Sequence, residues 1–235
     1  MQLTPEEKLM YEVMKALYGS GIPISFKGSM VMKACLMEAG FVEDTRHTVD
    51  IDGNWNSETL PSADHMEESI QKALDDNNIP LKVSLYRMYG EGRSAGFELK
   101  DISTDEILFT MDIDVNRPVV PTKIYEVEGF RFRGSVLNQM IADKVSAIST
   151  DKVFRRIKDV IDLYYYSQVY DFNKDEILKM LDDSGRILGD FKGYLNRVDD
   201  LKHSYEKFRF SGGVNKPEFD DVYNGVKNYI SEILT

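Results

Sequence analysis

Two pairs of aspartates constrain this chain more sharply than any other feature. Asp50 and Asp52 close the stretch KGSMVMKACLMEAGFVEDTRHTVDID, and Asp112 and Asp114 lie within ILFTMDIDV. One isoleucine splits each pair, and strand side chains alternate with period two, so each pair shares one face. In the second run Leu108, Thr110, Asp112 and Asp114 share a face, while Ile107, Phe109, Met111, Ile113 and Val115 share the other. Like charges held together on a buried face repel unless a cation sits between them. A cation bound through few carboxylates, with waters retained, describes Mg²⁺ carrying a nucleotide. The turn Lys27-Gly28-Ser29 supplies what a phosphate needs: backbone N–H groups, a hydroxyl, and no side chain in the way at Gly28.

The remaining elements follow in order. Apolar residues at Leu9, Met10, Val13, Met14 and Leu17 predict a helix over 5–18, with Thr4 as N-cap and Pro5 at its first position. Ile22 to Phe26 reads as extended. Met30 to Ala39 reads as a helix stopped by Gly40, and Thr45 to Asp52 as a strand. Ala63 to Asn77 is helical by period, and strands are expected at 81–89, 95–99 and 107–115. Turns are expected at Tyr89-Gly90-Glu91-Gly92-Arg93 and Ser103-Thr104-Asp105-Glu106. Arg117-Pro118 through Pro121 breaks the pattern. Beyond it, helices are predicted over 135–149, 153–170, 174–181, 187–208 and 219–234. The expected fold is an α/β (α+β) domain with a mixed sheet over 1–125, followed by an α-helical domain over 126–235, with a nucleotide bound in the cleft between them.

Composition narrows the function classes. The 235 residues contain one cysteine, Cys35, read as a buried helix residue, which excludes an internal disulfide and suits the cytoplasm. No apolar run approaches the roughly 20 residues that span a bilayer, so no membrane partner is expected. Three scattered histidines, His47, His65 and His203, make a poor zinc set. The net charge of −11 is concentrated: residues 1–130 carry 12 basic and 23 acidic side chains, and residues 131–235 carry 17 of each. That field opposes non-specific nucleic-acid binding, which depends on phosphate neutralisation. Any contact with RNA is therefore expected on a local basic surface of the C-terminal half. Tyr164-Tyr165-Tyr166 and Tyr170 are read as core, and Trp55 more as structural than as a base-stacking ring.

The motifs together resemble the nucleotidyltransferase toxin family of the abortive-infection (AbiEii) type, within the DNA polymerase β-like superfamily. The resemblance covers most of residues 20–190. The Gly-Ser turn and Arg-x-Thr-x-Asp-Ile-Asp appear as Gly28-Ser29 and Arg46-His47-Thr48-Val49-Asp50-Ile51-Asp52. The aliphatic-aspartate element appears as Asp112-Ile113-Asp114. The lysine-bearing helix and Arg-x-Lys-Asp appear as Ala142-Asp143-Lys144 and Arg156-Ile157-Lys158-Asp159. A further Asp-x-x-x-Arg spans Asp182 to Arg186. Where the family often has a lysine five residues before the Arg-x-Lys-Asp arginine, this chain has Asp151, with Lys152 next.

The resemblance implies an enzyme that moves a nucleoside monophosphate from a nucleoside triphosphate to an acceptor hydroxyl. Two Mg²⁺ ions, or Mn²⁺, would be held by Asp50, Asp52 and at least one of Asp112 and Asp114. Lys27, Gly28, Ser29, Lys144, Arg156, Lys158 and Asp159 would handle the nucleotide. It also implies a toxin of a bacterial toxin–antitoxin or phage-defence system, with an antitoxin partner and RNA, tRNA among it, or protein as acceptor. Two other readings stand beside it. One is a small-molecule nucleotidyltransferase acting on a cationic acceptor such as an aminoglycoside, which the acidic N-terminal half would suit. The other is a non-catalytic nucleotide-binding module, against which the two intact aspartate pairs argue.

Overall fold

The computed structural model describes residues 2–89, 94–115, 117–210 and 214–234. The chain forms two compact units, residues 2–34 with 48–135, and residues 35–47 with 136–235.

The first unit is built on a seven-stranded mixed sheet. Its strands are β1 (Ile24–Lys27), β2 (Asp50–Trp55), β3 (Leu81–Tyr89), β4 (Ser94–Asp101), β5 (Ile107–Val115), β6 (Thr122–Val127) and β7 (Phe130–Ser135), in the order β3-β4-β5-β2-β1-β7-β6. Parallel pairs join β2 to β5 and β1 to β7, and the remaining pairs are antiparallel. On β5 the predicted alternation holds: Phe109, Met111, Ile113 and Val115 are buried, while Thr110, Asp112 and Asp114 are half-buried. Helices α1 (Pro5–Gly19) and α3 (Ala63–Asp76) pack on the sheet through β7 and β3. Thr4 caps α1: its hydroxyl accepts from the Glu7 N–H at 3.2 Å, and the Glu7 carboxylate accepts from the Thr4 N–H at 3.0 Å.

Glu7 also has a second task. Its side chain is 0 % exposed and pairs with Lys33, 3 % exposed, on α2 (Gly28–Glu38). This ion pair fastens the start of α1 to the helix that leaves the Gly28 turn.

Several expectations needed correction. The strand read over 45–52 begins only at Asp50 and continues to Trp55. The β6–β7 hairpin was not anticipated. It turns through Glu128 (φ 47°) and Gly129 (φ 84°), with Val127 opposite Phe130, a two-residue turn with positive φ at both central positions. Asn-Gly or Asp-Gly is the usual signal for such a turn, and Glu-Gly hides it. The turn expected at 89–93 lies outside the described residues.

The second unit is helical: α4 (Leu137–Ile148), α5 (Ile157–Ser167), α6 (Lys174–Asp183), α7 (Lys192–Asn196), α8 (Val198–Lys207) and α9 (Phe219–Tyr229). The helix expected over 153–170 is broken at Arg156, with a short 3₁₀ turn at Val153–Arg155 before α5. The one expected over 187–208 is two helices, α7 preceded by Phe191 in the left-handed region at φ 56°. Tyr165 and Tyr166 are buried, as expected of core. No described helix is long and apolar enough to cross a membrane.

Removing one partner of a buried ion pair strands the other charge. Lys33→Met is therefore expected to lower stability by about 3–5 kcal/mol, with Glu7→Gln/Lys33→Met recovering part of the loss. Urea denaturation midpoints measure both. An unchanged midpoint in the single variant would show that the pair contributes nothing.

Candidate active site

The parallel register of β2 on β5 sets Asp50 beside Thr110, Asp52 beside Asp112 and Asn54 beside Asp114. Side-by-side residues of paired strands face the same way, so both aspartate pairs stand on one side of the sheet. On the other flank of β2, Lys27 is opposite Asp52. Gly28 follows with φ 72°, and a Cβ there would lie 2.1 Å from Asp52 Oδ2. Two demands therefore fall on one position: a left-handed backbone and close approach to a carboxylate. Glycine meets both.

The acids are not equivalent. Lys27 Nζ donates to Asp114 Oδ2 and to Asn54 Oδ1, each at 2.7 Å. Ser94 Oγ donates to the other Asp114 oxygen, and Arg117 Nε lies 3.7 Å from Oδ2. Burial would raise the Asp114 pKa, but the Lys27 charge and these hydrogen bonds hold the carboxyl below its usual range. Asp112 accepts from Arg87 Nη2 at 3.2 Å through Oδ2, while its buried Oδ1 faces Gly96 and the Tyr86 side chain and has no partner in hydrogen-bond geometry among the described residues. Asp50 receives a hydrogen bond from the buried Thr48 hydroxyl.

Among the described residues, no three His, Cys, Asp or Glu side chains already converge as a metal cage. Mg²⁺ does not need one, since it commonly binds through one or two carboxylates together with waters and substrate phosphates. Asp52 and Asp112, side by side on β2 and β5, supply the pair of carboxylates that such a site uses.

Trp55 is buried in a T-shaped contact with His65, ring centroids 6.1 Å apart, which suits a structural role. Cys35 is buried on α2.

The other motif residues gather in the helical unit around Asp162, which is wholly buried. Arg46 grips it with two hydrogen bonds, Nε to Oδ1 at 2.7 Å and Nη2 to Oδ2 at 2.8 Å, and Lys144 Nζ donates at 2.5 Å. Lys144 also lies 3.4 Å from Asp159, which in turn pairs with Arg156 Nε at 2.8 Å. Burial alone would push the Asp162 carboxyl up; the Arg46 and Lys144 charges outweigh it and bring it to about 2. Burial likewise opposes the Lys144 charge, yet Asp162 and then Asp159 raise its pKa. Lys144 is thus buried against two carboxylates, while Lys158 and Arg156 are exposed. Arg186, from the Asp182–Arg186 motif, pairs with Asp143 at 3.2 Å. From sequence, Asp162, three residues beyond Asp159, is a candidate to orient Arg156 or Lys158; its partners are instead Arg46 and Lys144. Arg46 belongs to the first motif and Asp162 follows the Arg-x-Lys-Asp motif, 116 residues on, so nothing local shows that they meet.

A family model described as nucleotidyl transferase AbiEii toxin, Type IV TA system, matches residues 12–224. The chain belongs to this nucleotidyltransferase toxin family. Among solved structures, it is similar to MenT4, a nucleotidyltransferase toxin from Mycobacterium tuberculosis H37Rv, at 14 % identity and a TM-score of 0.60, over 96 % of this chain and 82 % of that one. An antigenic nucleotidyltransferase-like protein from Paracoccidioides brasiliensis is similar at 12 % identity, over 89 % of this chain and 95 % of that one, with a TM-score of only 0.46. No curated protein matches. The MenT4 likeness supports the fold, and AbiEii membership makes the chain a nucleotidyltransferase of a toxin–antitoxin family, which implies an NTP substrate and an antitoxin in the system.

Two outcomes are expected of this AbiEii chain. Gly28→Ala should cost about 1–2 kcal/mol of stability from its left-handed backbone and, by displacing Asp52, also reduce nucleotidyl transfer; unaffected transfer would separate Gly28 from the site. For Asp162, the folded pKa lies below the unfolded value of ~3.9. Its contribution, about 2–3 kcal/mol, is therefore present above pH ~4 and lost as pH falls through about 2. Urea midpoints should drop between pH 4 and pH 2 in the wild type, with a flatter profile in Asp162→Asn.

Proposed function

We propose that the chain transfers a nucleoside monophosphate from an NTP to an acceptor hydroxyl, in a metal-dependent reaction centred on Asp50, Asp52 and Asp112. The single observation carrying this reading is the β2–β5 register, which sets Asp52 and Asp112 side by side next to Gly28. Asp50, Asp52 and Asp112 would hold divalent ions, Mg²⁺ or Mn²⁺; when bound, such ions stabilise charge on the triphosphate and lower the pKa of the acceptor hydroxyl.

The chain's own residues do the rest. The Gly28 and Ser29 backbone N–H groups and the Ser29 hydroxyl cradle phosphate oxygens at the start of α2, where the helix dipole favours anions. Lys27 neutralises Asp114 and stands beside the same turn. Asp114, already satisfied, serves to position Lys27, which leaves Asp112 as the third carboxylate. One of these carboxylates can also accept the proton that the hydroxyl loses. The helical unit by itself presents Arg156 and Lys158 as exposed cations of the kind that suit a phosphate, with Asp159 holding Arg156. Lys144 and Asp162 are positioning residues that fix Arg46.

The acceptor classes to be compared are RNA, tRNA included, then protein and a cationic small molecule, the last favoured by the acidic excess of residues 1–130. The deciding experiment supplies each α-labelled NTP and Mg²⁺ with total tRNA, a protein extract or an aminoglycoside panel. Transfer is expected in at least one arm and should be abolished by EDTA. Asp52→Asn and Asp112→Asn should each lower it by about 100-fold or more, with the fold retained by circular dichroism. Full transfer in EDTA, or in Asp52→Asn, would overturn the reading.

A further inference from the structure

The edge strand β3 carries a cluster that none of the steps above uses. Pairing with β4 slips there: Leu85 opposes Phe97 and Arg87 opposes Gly96, which leaves Tyr86 as the extra residue of a β-bulge. Bulges re-aim side chains and are common beside active sites. Here the slip turns two consecutive residues, Tyr86 and Arg87, toward Asp112. Gly96 makes the room, since a Cβ at that position would lie 2.7 Å from the Tyr86 ring and 2.9 Å from Asp112 Oδ1. The Arg87 guanidinium then touches three groups. It donates to Asp112 Oδ2 at 3.2 Å and lies 4.6 Å and 4.4 Å from the ring centroids of Tyr86 and Tyr89. Arg87 and Tyr89 remain accessible, at 45 % and 38 % exposure.

Position along the sheet gives the cluster a direction. The Gly28 turn extends from β1, on one flank of β2, whereas β3 lies beyond β5 and β4 on the other. The carboxylates therefore stand between the phosphate-binding turn and the Tyr86–Arg87–Tyr89 cluster. In an in-line phosphoryl displacement the attacking and leaving oxygens lie on opposite sides of the phosphorus. On the transfer reading, with the triphosphate at the Gly28 turn, the cluster would lie on the side from which the acceptor attacks.

We propose that Tyr86, Arg87 and Tyr89 form an acceptor-binding platform for single-stranded nucleic acid, the two rings stacking on bases near the strand's end and Arg87 meeting a phosphate. This rests on the transfer reading given above. Planar rings flanking a guanidinium match a nucleobase-bearing strand, because every base has a stacking face. A cationic small molecule would meet the like charge of Arg87. The chain's net charge of −11 means that affinity must come from stacking more than from phosphate neutralisation. With one phosphate contact, log K should fall with log salt at a slope of only about −0.7.

The test uses the full chain and two fluorescent oligoribonucleotides of equal length, one ordinary and one abasic at its three terminal positions. The ordinary strand is expected to bind roughly ten-fold or more tightly than the abasic one, a gap that Tyr86→Ala and Tyr89→Ala should each narrow by a similar factor. Tyr86→Phe should retain binding, which separates ring stacking from a folding defect. In labelled-NTP assays the alanine variants should raise the KM for the RNA acceptor and leave that for the NTP unchanged. Equal binding of both strands, no binding of either, preference for an unstructured peptide, or a rise confined to the NTP KM would each overturn the platform. If Asp52→Asn abolishes transfer while Tyr86→Ala and Tyr89→Ala do not impair it, the platform fails and the transfer reading stands. If Asp52→Asn transfers normally, the transfer reading itself fails.

Discussion

The pairing of β2 with β5 in parallel is the constraint on which the sheet unit depends. Hydrogen bonding along that ladder sets Asp52 beside Asp112 and Asn54 beside Asp114, and it does so against the repulsion of neighbouring carboxylates. The fold answers that repulsion unevenly. Lys27, Ser94 and Arg117 satisfy Asp114, while among the described residues Asp112 pairs with one guanidinium, that of Arg87. An acid already neutralised by a lysine is a poor metal ligand. One that lies beside a second carboxylate and meets only an exposed guanidinium is a better one. This asymmetry, more than the count of acids, assigns the roles proposed for them.

The helical unit makes the opposite use of charge. Asp162 is buried without exposure and held by Arg46 and Lys144. Such an arrangement gains little net stability over an apolar core, because desolvation offsets most of the attraction. What it secures is a unique geometry: a carboxylate with a bidentate arginine and a lysine can be satisfied in few ways. Motif residues of an AbiEii chain thus divide into two kinds. Some present charge at the surface, as Arg156 and Lys158 do, and others, such as Lys144, are spent on holding neighbours in place.

Much of the fold was legible from period and punctuation. The capped first helix, the alternation on β5 and the boundaries of β3 follow from local rules that tertiary packing reinforces. Misreadings arose where a local cue was weak or overridden. The β6–β7 hairpin turns on Glu-Gly, whose left-handed glutamate no propensity favours. Arg156 breaks a continuous apolar period because the chain tightens into a 3₁₀ turn before it. The Tyr86 bulge had no cue, since one extra residue in a ladder shows only when the partner strand is known.

The sequence by itself determined which residues share a face, that two acid pairs would end on strands, that a glycine-serine turn precedes them, and that the motifs run in the order of the AbiEii family. Those properties depend on chemistry within a few residues, where strand alternation and backbone sterics act directly. Tertiary structure alone decided that Asp52 neighbours Asp112 and not Asp114, that Lys27 spans Asn54 and Asp114, that Arg46 meets Asp162, and that Arg87 reaches Asp112 from β3. Each of these is a pairing between residues distant in sequence. Strand register and helix packing fix such pairings by satisfying many hydrogen bonds and apolar contacts at once, and a shift of one residue would have turned every acid on β2 to the other face.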